Sequence, residues 1–446
     1  FRVIDIREKT KEQQDAFITD FRLKDRNEGF DLSHGSLVRV ILLRLSEDEH
    51  YKIWSNHHLN LDGWSTNAVL AEFDLLYESK VKGVNSELQS LKLYSEYIRW
   101  LNGFDKNKGE SYWESYLSNY DTQASLPRDG EIEEKGAYEP RDYEFTFSEQ
   151  ITEQLQQIAA EHKTTLNTIV QSAWGVLLSR YANTNDVVFG SVVSGRPSTL
   201  EGVQDMIGIF INTVPQRIQY DSTQLFSELL QQVQQSFIAS EPYHHMNLAE
   251  VQQNSELGNN LLDHLVVFEN YPISERLLEE STNQQTQGLV EVEEGTVEVF
   301  EQMNYDFTLM AAPDKGLFFR MKYNANVYSD SFVKRLEGQW RLLLEQIAVN
   351  PTIQIADLDI LTSAEETYLL ETLNDTKVDY PKDKTIVDLF EEQVAKTPNN
   401  IAVVFEEVKL TYQEINELSN QLADYLRKSY EINPDDLVGI KLDRSE

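Results

Sequence analysis

The chain has 446 residues, 40% of them hydrophobic and 11% aromatic, and 39 basic against 75 acidic side chains give a net charge of −36. Such a length suggests roughly three domains, and the acidic balance excludes nucleic acid and an anionic membrane surface as partners, since both are held through basic faces. The absence of cysteine excludes a disulfide scaffold, a Cys-ligated zinc, an iron–sulfur cluster and a cysteine nucleophile.

Strand and helix patterns alternate along the chain, as in a mixed α and β architecture. Val38–Leu45 and Tyr51–Ser55 read as strands joined by the turn Ser46-Glu47-Asp48-Glu49. The longest apolar run, Leu37–Leu45, is interrupted by Arg39 and Arg44, so it is no bilayer span. Ser65–Tyr77 reads as a helix with Val69, Phe73 and Leu76 or Tyr77 falling on one face, and a helical block rich in Trp and Tyr follows over Tyr94–Asn119. Leu126–Pro140, with Pro, Gly and acidic residues, reads as a linker. A strand from Arg141 then leads into helices carrying Ile151, Leu155 and Ile158 and spanning Leu166–Tyr181. Beyond them come a strand at Val187–Val193, helices at Leu225–Ser240 and Phe332–Val349, and strands near Leu265–Phe268, Val297–Phe300 and Gly316–Tyr323. Glu279–Gly288 reads as an exposed loop. Polar Asn374–Asp383 precedes a fresh helix–strand–helix pattern that runs to Glu446.

The densest polar cluster is Asn56-His57-His58-Leu59-Asn60-Leu61-Asp62-Gly63-Trp64-Ser65, placed between a strand and a helix. Gly63 suits a tight turn with positive φ, and Ser65 suits the N-cap. Outward-pointing amides at that helix start would stabilise a developing oxyanion, and a histidine beside them could act as a general base or orient an amine. Three readings of the histidine pair stand side by side: packing or surface, metal ligation with Asp62, and acid–base work. Adjacent residues of an extended chain point apart, which disfavours a shared metal ion.

His57-His58-Leu59-Asn60-Leu61-Asp62-Gly63 resembles the HHxxxDG signature of condensation domains in nonribosomal peptide synthetases, and Trp64-Ser65 fits it as well. Four further segments resemble the family's blocks in order. They are Tyr94-Ser95-Glu96-Tyr97-Ile98-Arg99-Trp100, Val188-Phe189-Gly190 through Ser194-Gly195-Arg196-Pro197, Ile207 to Arg217, and Val267-Phe268-Glu269-Asn270-Tyr271-Pro272. Thr385–Arg427, with Leu410-Thr411-Tyr412-Gln413-Glu414-Ile415, resembles the start of an adenylation domain.

The resemblance implies an α/β (α+β) fold of two chloramphenicol-acetyltransferase-like lobes, a V-shaped pseudo-dimer with a central tunnel. The expected division is 1–125 for a first lobe that begins partway in at Phe1, 126–140 for a linker, and 141–350 for the second lobe. Residues 351–384 would form a further linker and 385–446 the opening of the adenylation domain. The implied reaction is peptide-bond formation between donor and acceptor thioesters, joining two L-residues. The partners are donor and acceptor carrier domains, which bring phosphopantetheine arms, and the adjoining adenylation domain; the domain itself is expected to bind no cofactor and no metal, and to be cytoplasmic. His58 carries over to the catalytic position, as base or as a group that positions the amine, with Gly63 beside it through its amide and small size. His57, Asp62 and Arg196 carry over as structural residues of the site, Arg196 being the expected salt-bridge partner of Asp62. Trp64, Ser65 and Asn212 are expected along the tunnel, Asn212 with the alternative of capping a strand end. Tyr243-His244-His245 lacks the following Asp-Gly and reads as packing or surface, and His264 as a residue without a role. Two rival functions are an acyltransferase of the same fold with a soluble acyl-coenzyme A donor and a non-catalytic docking module.

Overall fold

The computed structural model describes residues 1–84, 91–130, 138–269, 304–313, 315–433 and 435–442. They divide into two compact units, Phe1–Ser363 and Ala364–Glu446. The first unit opens with strand β1 (Arg2–Asp5), helix α1 (Lys11–Glu28) and strands β2 (Val38–Arg44) and β3 (His50–Asn56). These strands form a sheet in the order β1-β2-β3. β1 runs parallel to β2, and β2 and β3 are antiparallel without a break from Val38 opposite Asn56 to Arg44 opposite His50. The two-residue alternation of a strand brings Ile41, Leu43 and Ile53 to one face, where they close over Ile6 and over Phe17, Ile18 and Phe21 of α1.

Helix α2 (Gly63–Lys82) follows this sheet in the chain, and α3 (Tyr94–Asn102) and α4 (Lys106–Leu117) come after it. The helical block expected over Tyr94–Asn119 is therefore two helices. Gly103 ends the first, its N–H donating to the carbonyls of Arg99 and Trp100, and the second starts after Asp105. The apolar face of α2 is largely open, with Phe73 42%, Leu76 36% and Tyr77 47% exposed. A helix of that length runs about 30 Å, whereas three strands at ~4.8 Å spacing make a sheet only ~10 Å wide. Its cover from β3 is the Lys52 ammonium, 4.2 Å above the Phe73 ring.

The remainder of the unit is built on a six-stranded sheet. Its elements are β4 (Pro140–Thr146), α5 (Glu149–Glu161), α6 (Leu166–Ala182), β5 (Asp186–Val193), β6 (Asn212–Gln219), α7 (Phe226–Ser240) and α8 (Leu248–Gln253), then β7 (Leu265–Phe268), β8 (Phe307–Pro313), β9 (Leu317–Asn324) and α9 (Asp330–Val349). The strand order is β4-β9-β8-β7-β5-β6, with β5, β7 and β8 mutually parallel and antiparallel pairs at both edges. Helix α6 is buried without interruption from Thr168 to Ser179, the mark of a helix enclosed on all sides. Its Trp174 lies parallel to Phe307 of β8, centroids 5.8 Å apart, and edge-on to Trp340 of α9 at 5.6 Å.

This core also takes in chain expected to link domains. Leu126 is buried in it, Gly130 donates its N–H to the Val327 carbonyl at 2.9 Å, and Arg128 pairs with Asp263 at 3.0 Å. Beyond residue 350, Ile355 and Leu358 are buried in the same core. Residues 131–137 of the expected linker, the Glu279–Gly288 loop, the Val297–Phe300 strand and Asn270–Pro272 lie outside the described residues.

Within the second unit, helix Ile386–Lys396 precedes an antiparallel hairpin, Ile401–Phe405 with Val408–Thr411, and helix Tyr412–Ser429. Capping boxes start both helices, Thr385 with Asp388 and Thr411 with Glu414. Among the described residues no helix is long and apolar enough to cross a membrane.

Candidate active site

The histidine-bearing turn begins where β3 ends. The N–H of His57 donates to the Leu37 carbonyl at 3.0 Å, and the chain then turns through Asn60 N–H to the His57 carbonyl, also 3.0 Å. The His57 ring looks back into its own turn, its Nδ1 accepting from the Leu59 N–H at 3.1 Å; a neutral ring then carries its proton on Nε2. Phe30 meets that ring edge-on at 6.3 Å, and the Arg39 guanidinium covers Phe30 at 4.3 Å. Arg39 is held by the Asp25 carboxylate at 2.9 Å and donates to the carbonyls of Gly29 and Asp25. His57 is thus fixed from the three-stranded sheet, while His58 is exposed at the surface of the turn.

At its far end the turn is anchored by Asp62, buried together with Leu61. The N-cap of α2 is Asp62, not Ser65: its Oδ1 accepts from the Ser65 N–H at 2.7 Å, which satisfies one of the donors a helix start leaves open. Gly63 is consequently the first helical residue, and it is absent from the positive-φ glycines. The cap supplies the change of direction that a left-handed glycine would otherwise have provided. Of the first-turn amides, that of Thr66 goes to the Asp62 carbonyl at 2.9 Å; those of Gly63 and Trp64 make no such bond among the described residues.

The second Asp62 oxygen accepts from the Phe210 N–H at 3.0 Å. Arg196 lies with its Nη2 3.7 Å from Asp62 Oδ1, both side chains almost completely buried. Arg196 also donates to the carbonyls of Val203 and Met206 and, at 3.1 Å, to Ser65 Oγ, with Phe210 4.0 Å below its guanidinium. Burial pulls the Arg196 guanidinium below its ordinary pKa, against the opposing pull of Asp62. Tyr94 donates its hydroxyl to the Ile209 carbonyl at 2.5 Å and meets Phe210 edge-on at 5.1 Å. Gly195 has φ +62, and a Cβ there would stand 1.8 Å from the Phe210 carbonyl oxygen; one on Gly208 would stand 2.2 Å from the Tyr94 ring.

Contiguity therefore joins His57, His58, Asp62, Gly63, Trp64 and Ser65, and packing adds Arg196 from more than a hundred residues along the chain. Ser65 does not line an open path: it is fully buried, its hydroxyl committed to Gly208 and Arg196. Trp64 is half-buried, donating through Nε1 to the Gln204 carbonyl at 3.0 Å. Asn212, the first residue of β6, donates its side-chain amide to the carbonyls of His244 and Met246 at 2.7 and 2.6 Å, tying the strand's start to that turn. His244 is buried with Nε2 2.8 Å from Ser240 Oγ, and His245 sits edge-on to Trp100 and Phe104. His264, expected to have no role, is fully buried; its Nε2 accepts from Trp174 Nε1 at 2.8 Å and its Nδ1 lies 3.4 Å from Asp263. Among the described residues no cluster of His, Asp and Glu is arranged to hold a metal ion.

Residues 1–370 match the family model for the condensation domain, and residues 390–446 match that for AMP-binding enzymes. Bacitracin synthase 3 of Bacillus licheniformis is 41% identical over 445 residues, 100% of this chain and 7% of that protein. Gramicidin S synthase 2 of Brevibacillus brevis is 38% identical over 441 residues, 99% of this chain and 10% of that protein. The chain thus spans a tenth or less of these curated relatives. Among solved structures, a four-domain nonribosomal peptide synthetase bound to AMP and glycine aligns with a TM-score of 0.75 at 20% identity, over 96% of this chain and 33% of that one. The first condensation domain of the CDA synthetase aligns at 0.57 and 16% identity, over 81% of this chain and 77% of that one. These likenesses establish the fold, a mixed α and β architecture of the chloramphenicol acetyltransferase type. With the family model matched over most of its length, the chain belongs to the condensation-domain family.

Proposed function

We propose that the chain forms peptide bonds between two carrier-tethered thioesters as one part of a nonribosomal peptide synthetase. The observation that carries this reading is the presentation of His58. It is exposed on a turn whose two ends are fixed, by the His57 contacts on one side and by the buried Asp62 cap on the other. In this reading residues 1–125 and 141–350 are the two lobes bordering a tunnel, and carrier domains deliver their phosphopantetheine thioesters into it. The acceptor α-amine attacks the donor carbonyl; a C–N bond forms, the C–S bond breaks, and the amine's proton ends on the departing thiolate. An amine partly neutral near pH 7 needs alignment more than a strong base, and His58 provides that alignment. The amides of Gly63 and Trp64 at the start of α2 are suited to the carbonyl oxygen as it gains charge. Trp64 borders the path, the donor and acceptor are both L-residues, the adenylation domain that begins at residue 385 activates one of them, and the setting is cytoplasmic.

The test is single-turnover dipeptide formation, read by mass spectrometry, with both carriers loaded and the chain in its full-length synthetase. Dipeptide from the parent and a loss of about 100-fold or more in His58→Ala support the reading. No dipeptide from varied L- and D-donors would replace it by a docking module, and turnover with free acyl-coenzyme A by a soluble-donor acyltransferase.

A further inference from the structure

Ser65 occupies a singular position in this network. A serine hydroxyl has one proton to give and two lone pairs to offer, and all three are used. Its Oγ donates to the Gly208 carbonyl at 2.7 Å and accepts from the Gly208 N–H at 3.1 Å and from Arg196 Nη2 at 3.1 Å. The same residue's amide is bonded to Asp62 at 2.7 Å. Ser65 therefore grips both backbone groups of one glycine 143 residues away and holds that segment against the first turn of α2. Gly208 permits the approach because it has no side chain; a Cβ there would meet the Tyr94 ring. Solvent has no access to any of these bonds, since Ser65 is fully buried.

We infer that Ser65 is a positioning residue: its saturated hydroxyl fastens the 206–210 segment to the start of α2 and thereby fixes where His58 and the Gly63 and Trp64 amides stand relative to the six-stranded sheet. The inference rests on the condensation reading, because its consequence is felt in that reaction. Substrate reaches His58 without touching Ser65, so losing the hydroxyl should misplace the reacting groups without weakening the hold on the carriers. Misplacement on the order of 1 Å can cost about 100-fold in rate.

The experiment compares parent, Ser65→Ala and Ser65→Cys in the full-length synthetase with both carriers loaded. It measures kcat, the half-saturating acceptor-carrier concentration, and amide hydrogen exchange over residues 206–210. The expected result is a fall in kcat of about 10- to 100-fold, an unchanged half-saturating concentration, and faster exchange at Gly208. Ser65→Cys fills the site with a slightly larger atom and a much weaker donor and should reproduce the fall even if Ser65→Ala unfolds. Parental kcat in either folded variant, or a loss expressed only as weaker carrier binding, overturns the positioning role. A parent that forms no dipeptide overturns the condensation reading instead, so the two failures are distinguishable.

Discussion

The pairing of Asp62 with Arg196 lends itself to a double-mutant cycle. The groups stand 3.7 Å apart with almost no exposure, where the gross Coulomb attraction is about 4 kcal/mol at an effective dielectric near 20. Asp62→Asn preserves shape but offers a single acceptor oxygen. Since the two carboxylate oxygens accept separately from Ser65 and Phe210, either amide orientation turns an NH2 toward a backbone N–H. That loss, with Arg196 left unpaired, should cost about 3–5 kcal/mol. Arg196→Met keeps most of the volume but removes the donors to Val203, Met206 and Ser65 and strands the carboxylate, for a similar cost.

The double variant leaves no unpaired charge, so it should be less damaged than the sum by about 2–3 kcal/mol. All six tryptophans, Trp54, Trp64, Trp100, Trp113, Trp174 and Trp340, lie in the first unit. Urea unfolding followed by tryptophan emission therefore reports that unit without contribution from the second. Additivity of the two substitutions within about 0.5 kcal/mol would refute the coupling and reduce Asp62 to a helix cap.

Gly195→Ala combines a left-handed φ of +62 with a Cβ driven into the Phe210 carbonyl and should cost at least about 3 kcal/mol. Gly35→Ala, with φ +82 but open space around it, should cost only about 1–2 kcal/mol; equal losses by thermal unfolding would contradict the close approach at Gly195. Burial, with a smaller push from His245, holds the His244 pKa down at about 4, so the unfolded chain binds a proton below about pH 6.5 that the native state refuses. Stability from this site is complete above about pH 6.5 and declines as pH falls toward 4, by ~3 kcal/mol in all; His244→Gln should flatten that slope in urea titrations, and an unchanged slope would exonerate His244.

The legible parts of this fold are those where local signals agree. Asp330–Val349 combines apolar periodicity with a Ser cap, Leu166–Ala182 combines a long apolar stretch with a Thr cap, and the β2–β3 hairpin shows as two apolar runs around a polar turn. Strand β6 is obscured by Pro215, which a sequence pattern counts against a strand. The structure accommodates it because β6 is at the sheet edge, with Pro215 opposite Gly190. Helix α1 is too polar for its period to stand out, and it is fixed instead by its capping box and by three apolar contacts, Phe17, Ile18 and Phe21. In the site, the pairing of Asp62 and Arg196 could be anticipated from a resemblance between motifs, but the cap could not be assigned correctly. Asp62 and Ser65 both suit an N-cap by residue type, and only the backbone shows that the carboxylate takes the position. The burial of Ser65 depends on Gly208, a contact across 143 residues that no local pattern encodes.

The two supports of the histidine turn come from different places, and that bears on how the site can respond. His57 is held through Phe30, which follows helix α1, and behind it through Arg39 of β2 and Asp25 of α1. Asp62 is held through Arg196 and Phe210, which follow and precede strands of the six-stranded sheet. Only four residues, His58 to Leu61, separate the two anchors. A displacement between the sheets cannot be absorbed at the Asp62 anchor without breaking buried bonds, which is costly, so it must be taken up on the His57 side of the turn. His58, Leu59 and Asn60 are the exposed residues of that stretch. The geometry thus makes the position of His58 a sensitive function of how the two sheets are set against one another, and a substitution far from the turn that shifts either sheet should register in the reaction before it registers in stability.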